Sequence, residues 1–162
     1  MMVFITAGTQ LPFDRLIKAM DEIAAGLPHV EFIAQALNTT YQAQHLKMLD
    51  FITSSEFNTY VDSCQLIISH AGMGTIFTAL TKQKPIIIMP RLVKYKEHRN
   101  EHQFATCKQM DKMAYVPVAY DEKQLKEMFY QMWPDNLKVL NSSVTDTASK
   151  EFLISLDTFI KQ

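Results

Sequence analysis

Two glycines and a Ser-His pair lie between two apolar runs in residues 66–80, LIISHAGMGTIFTAL. The first run resembles a buried strand and the second a helix, so the glycines fall at a strand-to-helix junction. Backbone N–H groups at a helix N-terminus bind anions, and glycine lets an anion approach them closely. Gly72, Gly74 and Thr75 therefore predict a diphosphate-binding loop, although two glycines can also simply form a tight turn.

Two other chemistries fit this segment poorly. Phe77 occupies the third glycine position of GxGxxG, which disfavours a dinucleotide-dependent oxidoreductase. Ser69 and His70 are adjacent on the predicted strand and so point to opposite faces, and the G-x-S-x-G motif is absent, which disfavours nucleophilic catalysis. We interpret His70 as a hydrogen-bonding residue of a ligand crevice.

The segment EHRNEH, residues 97–102, raises a metal-binding alternative. On a helix over 98–111, His98 and His102 share a face, and H-x-x-E-H is an inverzincin signature in which Glu101 would be the general base. Short motifs match by chance and a short α/β chain is the wrong context, so we expect no metal. The segment can instead be a solvated helix start, or it can contact a ligand. It follows the apolar PIIIMPR run, which predicts that it lies near the glycine loops.

Basic residues concentrate in the same region. Arg91 and Arg99, with Lys94 and Lys96 between them, belong to the segment RLVKYKEHRN. Such a loop could close over a phosphate group. The same charges could equally be solvated loop residues.

Short apolar runs alternate along the chain with helical patterns. Strands are predicted over 2–6, 30–35, 48–52, 66–69, 85–89 and 114–118, and helices over 12–25, 53–63, 74–82, 98–111, 121–132 and 147–161. Thr53 and Glu56 have capping-box spacing, and Gly26 marks the end of the first helix. Alternation of this kind predicts an α/β fold, a single Rossmann-like domain with a parallel sheet flanked by helices.

The predicted strand ends place the glycines together. Gly8 follows the first strand, and Gly72 and Gly74 follow the fourth. In an open parallel sheet, ligands bind in the crevice at the carboxyl ends of the strands. We therefore expect both loops to face one ligand.

Length and composition limit the classes of protein to which the chain can belong. The chain has 162 residues, 48% of them hydrophobic, and a net charge of −1, which fits one domain and excludes nucleic-acid binding by bulk electrostatics. Cys64 and Cys107 lack CxxC spacing and predict reduced thiols in a cytoplasmic protein. No apolar run is long enough to cross a bilayer. Residues 133–146 are predicted to be a linker before the terminal helix 147–161, which packs on this domain or on a partner.

The combined motifs carry a family likeness. ISHAGMGTIFTALTKQKPIIIMPR, EHRNEHQFAT and the N-terminal VFITAGTQLPFDRLI resemble the C-terminal domain of family 28 glycosyltransferases. They are especially similar to stand-alone exopolysaccharide-biosynthesis subunits of the PssE and EpsF kind. The resemblance implies the C-terminal half of a GT-B fold that binds a UDP-sugar. It also implies a membrane-attached partner that presents a polyprenyl-linked saccharide, so that the chain is peripheral at the inner face of the membrane. The eukaryotic transferase that adds the second GlcNAc to dolichol-linked sugar is divided in the same way.

The resemblance also assigns donor-binding positions in three segments. These are Gly8 and Thr9 in the first loop, His70, Gly72, Met73, Gly74 and Thr75 in the central loop, and Glu101, His102 and Gln103 near the donor sugar. Thr78 departs from the pattern, because single-chain relatives usually have a ribose-binding glutamate there.

The implied reaction is inverting transfer of a sugar from a UDP-sugar during exopolysaccharide or capsule synthesis, with no cofactor. Backbone donors at Gly74 and Thr75, the helix dipole and Arg91 or Arg99 would stabilise charge on the β-phosphate. No residue of the chain is a convincing general base, so we expect the partner to supply it. The alternative is a non-catalytic nucleotide-binding or partner-activating subunit on the same fold.

Overall fold

The computed structural model describes residues 1–137, which form five strands, five α-helices and a short 3-10 turn. The strands are β1 (Met2–Thr6), β2 (Glu31–Gln35), β3 (Lys47–Leu49), β4 (Leu66–His70) and β5 (Ile86–Met89). The helices are α1 (Asp14–Ala25), α2 (Ser54–Ser63), α3 (Met73–Thr81), α4 (His102–Lys112) and α5 (Glu122–Met132), and the 3-10 turn is Val93–Tyr95. Within this part of the chain, no helix has the length and apolarity needed to cross a bilayer.

The strands form one parallel sheet in the order β3-β2-β1-β4-β5. The strand order reverses between β1 and β4, which are neighbours in the sheet but not in the chain. In doubly wound sheets this switch point opens a crevice at the carboxyl ends of the strands. The loops that follow β1 and β4 contain the glycines.

Helices cover both faces of the sheet. Helices α1 and α5 pack on one face through residues such as Ile17 and Phe129. Helices α2, α3 and α4 pack on the other through residues such as Val61, Ile76 and Cys107. Strands that are covered on both sides are apolar along their whole length, which explains the continuous apolar runs of the sequence.

Helix ends agree with the prediction where a capping residue in the adjacent sequence marks them. Helix α2 begins in a capping box, in which Thr53 Oγ1 accepts from Glu56 N at 3.2 Å and the Glu56 carboxylate accepts from Thr53 N at 2.8 Å. Helix α1 ends at Gly26 as predicted. Helix α3 follows Gly72 with no side chain capping it.

Three predicted elements differ from the structure by three residues or more. The strand predicted over 48–52 ends at Leu49, and the strand predicted over 114–118 makes only a single bridge, between Ile88 and Val118. The helix predicted over 98–111 begins at His102, because the preceding segment is held elsewhere by Glu97.

The predicted linker 133–146 starts within the packed body. Trp133 is 9% exposed and stacks on Phe129 with ring centroids 5.7 Å apart. The rest of that stretch from residue 138 onward, and the predicted terminal helix 147–161, lie outside the described residues.

Candidate ligand-binding site

A cavity of about 730 Å³ opens at the carboxyl edge of the sheet. The loops after β1, β3 and β4 line it together with the N-terminal parts of α2 and α3. Eight of the predicted site residues lie on its wall: Gly8, Thr9, His70, Gly72, Gly74, Thr75, Arg91 and Gln103. The structure thus places Gly8 on the same wall as His70 and Arg91, which follow it in the chain by 62 and 83 residues.

The residues described on the cavity wall include a positively charged side chain and no negatively charged one. Its polar groups are hydroxyls, side-chain amides, one imidazole and the guanidinium of Arg91. No carboxylate occurs among the lining residues that the structure describes. A wall of this kind suits an anion and offers no acidic ligands to a divalent cation.

The ring of His70 lies between the two glycine loops. A Cβ built on Gly8 would be 2.7 Å from His70 Cε1, and one on Gly72 would be 2.2 Å from His70 Nε2. Gly8 also has a φ of +75°, which side chains rarely adopt. Both positions therefore require glycine. At Gly74 nothing lies within 4 Å of a built Cβ, so the backbone there is open to the cavity.

His70 is a neutral hydrogen-bonding group. Its Nδ1 lies 3.3 Å from the carbonyl oxygen of Thr6, which can only accept, so Nδ1 carries the proton and Nε2 has a free lone pair. Burial, and then the charges of Arg91 and His98, lower the pKa of His70 to about 4 despite the Thr6 bond. The ring is therefore uncharged at neutral pH.

Arg91 is a buried cation rather than a mobile phosphate clamp. It is 2% exposed, and its Nη2 donates to Ala7 O at 2.5 Å and also to Leu11 O. Burial lowers its pKa to about 10, opposed by the charge of Glu97, so it stays protonated at neutral pH. Arg91 forms no ion pair with the described residues, and its buried Nε has no hydrogen-bond partner. A buried charge that is only partly compensated in this way favours a bound anion.

The N-terminus of α3 supplies further donors. The first N–H groups of a helix have no partner within it, and here these belong to Met73, Gly74 and Thr75. They carry the positive end of the helix dipole. Thr78, one turn later, also lines the cavity, with its hydroxyl donating to Gly74 O at 2.9 Å.

Four predicted residues lie away from the cavity wall. The side chain of Met73 packs against the core under α2, α3 and α4. Arg99, Glu101 and His102 are exposed and do not line the cavity. Their neighbour Gln103 does, and its Oε1 accepts from Arg91 N at 3.1 Å.

The segment 97–102 does not form the helical histidine pair of the metal-binding alternative. His98 precedes α4, with Nδ1 within 3.0 Å of Asn100 O, so it shares no helical face with His102. Glu97 is 8% exposed and pairs with Arg15 Nε at 2.9 Å. Across residues 1–137, no group of three or more His, Cys, Asp or Glu side chains could hold a metal ion.

Sequence reasoning missed several residues of the wall. Thr6 and Gln35 are the last residues of β1 and β2, and a polar residue ending an apolar strand was an available signal. The wall next to α2 is formed by Ile52, Phe57 and Asn58. Nothing in the local sequence marks these three, because they reach the cavity only through the pairing of β3 with β2.

Comparison with known protein families identifies the family of this chain. The model of the glycosyltransferase family 28 C-terminal domain matches residues 2–153. The chain therefore belongs to this family. The match includes every loop that lines the cavity.

The chain is also similar to curated fungal proteins. It is 34% identical over 87 residues to the UDP-N-acetylglucosamine transferase subunit ALG13 of Candida albicans, a match covering 54% of this chain and 28% of that protein. The ALG13 subunit of Cryptococcus neoformans is 30% identical over 88 residues, covering 53% and 43%. The matched part thus spans less than half the length of either relative.

Solved structures show the same fold. The NMR structure of ALG13 has a TM-score of 0.63 at 19% identity, with 93% of this chain and 94% of that one covered. A crystal structure of Acinetobacter baumannii MurG has a TM-score of 0.61 at 14% identity, covering 85% and 42%. The predicted fold, a Rossmann-like half of a GT-B glycosyltransferase, is confirmed.

Proposed function

We propose that the chain is the donor-binding catalytic subunit of a two-component glycosyltransferase that uses a UDP-sugar. The observation that carries this proposal is the charge of the cavity. Its described wall has no carboxylate, an unpaired buried guanidinium and an uncapped helix N-terminus. Each of these features favours a bound pyrophosphate.

The cavity wall offers groups for both the pyrophosphate and the nucleobase of a nucleotide. Gly74 and Thr75, at the start of α3, would donate to the pyrophosphate. Ile52 and Phe57 contribute apolar surface to the same wall, and Asn58 contributes a side-chain amide. An apolar surface with a few polar groups is what a nucleobase requires.

The names of the relatives support a narrower proposal. Both curated fungal relatives are UDP-N-acetylglucosamine transferase subunits, which favours GlcNAc as the donor sugar. By analogy we propose a membrane-attached partner subunit that binds a polyprenyl-linked saccharide and holds this chain at the cytoplasmic face. The exopolysaccharide context predicted from the sequence gains no support from these names, and it remains a prediction.

In the proposed reaction, the bond between the sugar's anomeric carbon and the β-phosphate breaks as an acceptor hydroxyl attacks from the other face. Negative charge then grows on the β-phosphate, where the α3 donors and the Arg91 charge would stabilise it. The acceptor hydroxyl must lose a proton. His70, with a pKa of about 4, is a weak base, which supports a general base from the partner.

Ligand-induced stabilisation tests the proposal. A ligand at 100 times its Kd raises the free energy of unfolding by about 2.7 kcal/mol. We expect UDP and UDP-GlcNAc to raise Tm, with smaller effects from ADP and inorganic phosphate. Unchanged Tm with every nucleotide at millimolar concentration would contradict the proposed function.

A further inference from the structure

The side chain of Gln35 is part of the cavity wall and lies between two of the loops that line it. It is 2% exposed and stands at the end of β2, level with Thr6 of β1. Its Nε2 donates to Gly8 O at 3.2 Å and to Asp50 O at 3.1 Å. Its Oε1 accepts from Thr6 Oγ1 at 2.8 Å. Gly8 belongs to the β1 loop (residues 7–13), and Asp50 belongs to the β3 loop (residues 50–53).

The orientation of this amide is determined by its partners. Both Gly8 and Asp50 present carbonyl oxygens, which only accept, so the NH₂ group must face them. Each of its two hydrogens is therefore used on a different loop. The amide joins the β1 loop and the β3 loop directly, although they are about 40 residues apart in the chain.

Gln35 also sets the direction of the Gly8 peptide groups. The Thr6 hydroxyl gives its only hydrogen to Gln35, so its lone pair is free to accept from Gly8 N, 3.3 Å away. The N–H of Gly8 thus points to Thr6 and its carbonyl to Gln35. Gly8 provides space for the ligand, while its own N–H is already engaged.

We propose that Gln35 is a positioning residue of the donor site, which holds the β1 loop and the β3 loop at the separation that fits a nucleoside diphosphate. This inference rests on the proposed function. The two loops contribute Thr9 and Ile52 to the same cavity wall. Without the Gln35 amide, the carbonyl groups of Gly8 and Asp50 lose their hydrogen-bond donor, and the two loops can move apart more easily. Ordering them again would then consume part of the free energy of ligand binding.

The test compares Gln35→Met with Ile33→Val. Methionine has nearly the same length as glutamine but no donors, so all three bonds to Thr6, Gly8 and Asp50 are lost. Ile33 is two residues earlier on the same face of β2 and is 2% exposed, and its substitution removes only a methyl group from the core. Isothermal titration with UDP and hydrogen exchange of the folded proteins are the measurements.

We expect Gln35→Met to raise the Kd for UDP at least about tenfold, as loss of more than one hydrogen bond requires, while Ile33→Val changes it less than about twofold. Amides of the β1 loop and the β3 loop should exchange faster in Gln35→Met only. If Gln35→Met does not fold, Gln35→Asn serves instead, because its shorter side chain cannot reach both carbonyls.

Two results separate the possible failures. An unchanged Kd in the Gln35 variant, or an equal loss of affinity in both variants, would overturn the positioning role. If the wild-type chain itself does not bind UDP, the proposed function fails. The exchange comparison then still decides whether Gln35 ties the two loops, and unchanged exchange in them would reject the tie.

Discussion

The packing of His70 between Gly8 and Gly72 decides which substitutions the glycine loops accept. Gly72→Ala would place a Cβ 2.2 Å from the His70 ring, whereas Gly74→Ala would meet nothing within 4 Å. We expect Gly72→Ala to destabilise the fold by about 1–3 kcal/mol through overpacking and to abolish UDP binding. Thermal unfolding and titration with UDP measure both effects.

Gly74→Ala is the matched control on the same helix turn. Alanine is the better helix former, so this variant should be as stable as the wild type or more stable by up to about 1 kcal/mol. If Gly74→Ala destabilises as much as Gly72→Ala, then the contact with His70 is not the reason for the glycine.

His70 makes the stability of the fold depend on pH. Its pKa is lowered from 6.5 to about 4, so the unfolded chain binds a proton in this range while the native chain does not. Stability is therefore fully present above pH 6.5 and is lost as the pH falls towards 4, by roughly 1–3 kcal/mol. Urea unfolding at several pH values should show a shallower dependence in His70→Gln. Parallel curves for the two proteins would argue against the buried neutral ring.

Residue types alone predicted part of this site. A glycine after a strand is a local signal, so Gly8, Gly72 and Gly74 could be found from the sequence. The role of Arg91 could not, because its partners Ala7 and Leu11 lie about 80 residues away in the chain. A cation near a ligand loop looks the same in sequence whether it points to the ligand or, as here, holds another loop.

At the scale of elements, the segment between β5 and α4 is held by one ion pair. Arg15 on α1 binds Glu97 through Nε at 2.9 Å and Pro90 O through Nη2 at 3.0 Å. Glu97 also accepts from Leu92 N at 3.0 Å. Both side chains of the pair are 10% exposed, so the pair is shielded from solvent.

Glu97→Gln should therefore be costly. It leaves the Arg15 guanidinium with only the more exposed carboxylate of Glu122, 3.1 Å from Nη1, as a counter-charge. We therefore expect a loss of about 1–3 kcal/mol in the free energy of unfolding. Chemical denaturation measures this loss.

Glu127→Gln provides the control for that variant. It breaks the Lys123–Glu127 pair on α5, whose side chains are 84% and 56% exposed. Exposed pairs of this kind contribute about 0.5 kcal/mol or less. Equal effects of the two substitutions would show that the Arg15–Glu97 pair does not hold the segment.

Elements with local signals were predicted well, and those set by distant partners were not. The capping box at Thr53 fixed the start of α2 in advance. The helical pattern after residue 97 was extended too far, because Glu97 turns away to reach Arg15, 82 residues earlier. A periodic pattern cannot contain that information.

For the whole molecule, the strand order brings three loops to one edge of the sheet, where the cavity is open to solvent. We expect the isolated chain to bind UDP but not to transfer sugar, because none of the residues described on the cavity wall is a suitable general base. Transfer of labelled GlcNAc to a lipid-linked acceptor should appear when the chain is co-expressed with the membrane-attached partner proposed above.

The Gly72→Ala variant decides between the catalytic and the non-catalytic alternatives in that assay. A complex that forms with this variant but lacks transfer supports the donor-binding role. A complex that forms and retains full transfer would show that the chain activates its partner without holding the donor.

Alternation of strands and helices predicted the parallel sheet and its helical layers, because each run is long enough to be recognised alone. The same information could not show that Gln35 joins the β1 loop to the β3 loop. That requires knowing that β2 is the neighbour of both β1 and β3, which follows from the order of the strands in space.

The burial of Arg91 has a consequence for the ionic conditions in which the chain can work. Dissolved ions screen charges that are exposed to water, over a Debye length of about 8 Å at physiological ionic strength, and they screen buried charges much less. Since this guanidinium is 2% exposed, the part of the affinity for UDP that depends on its charge should weaken only slightly as sodium chloride is added. If the chain binds a sugar nucleotide as proposed, that complex should therefore persist when a cell changes its osmotic state.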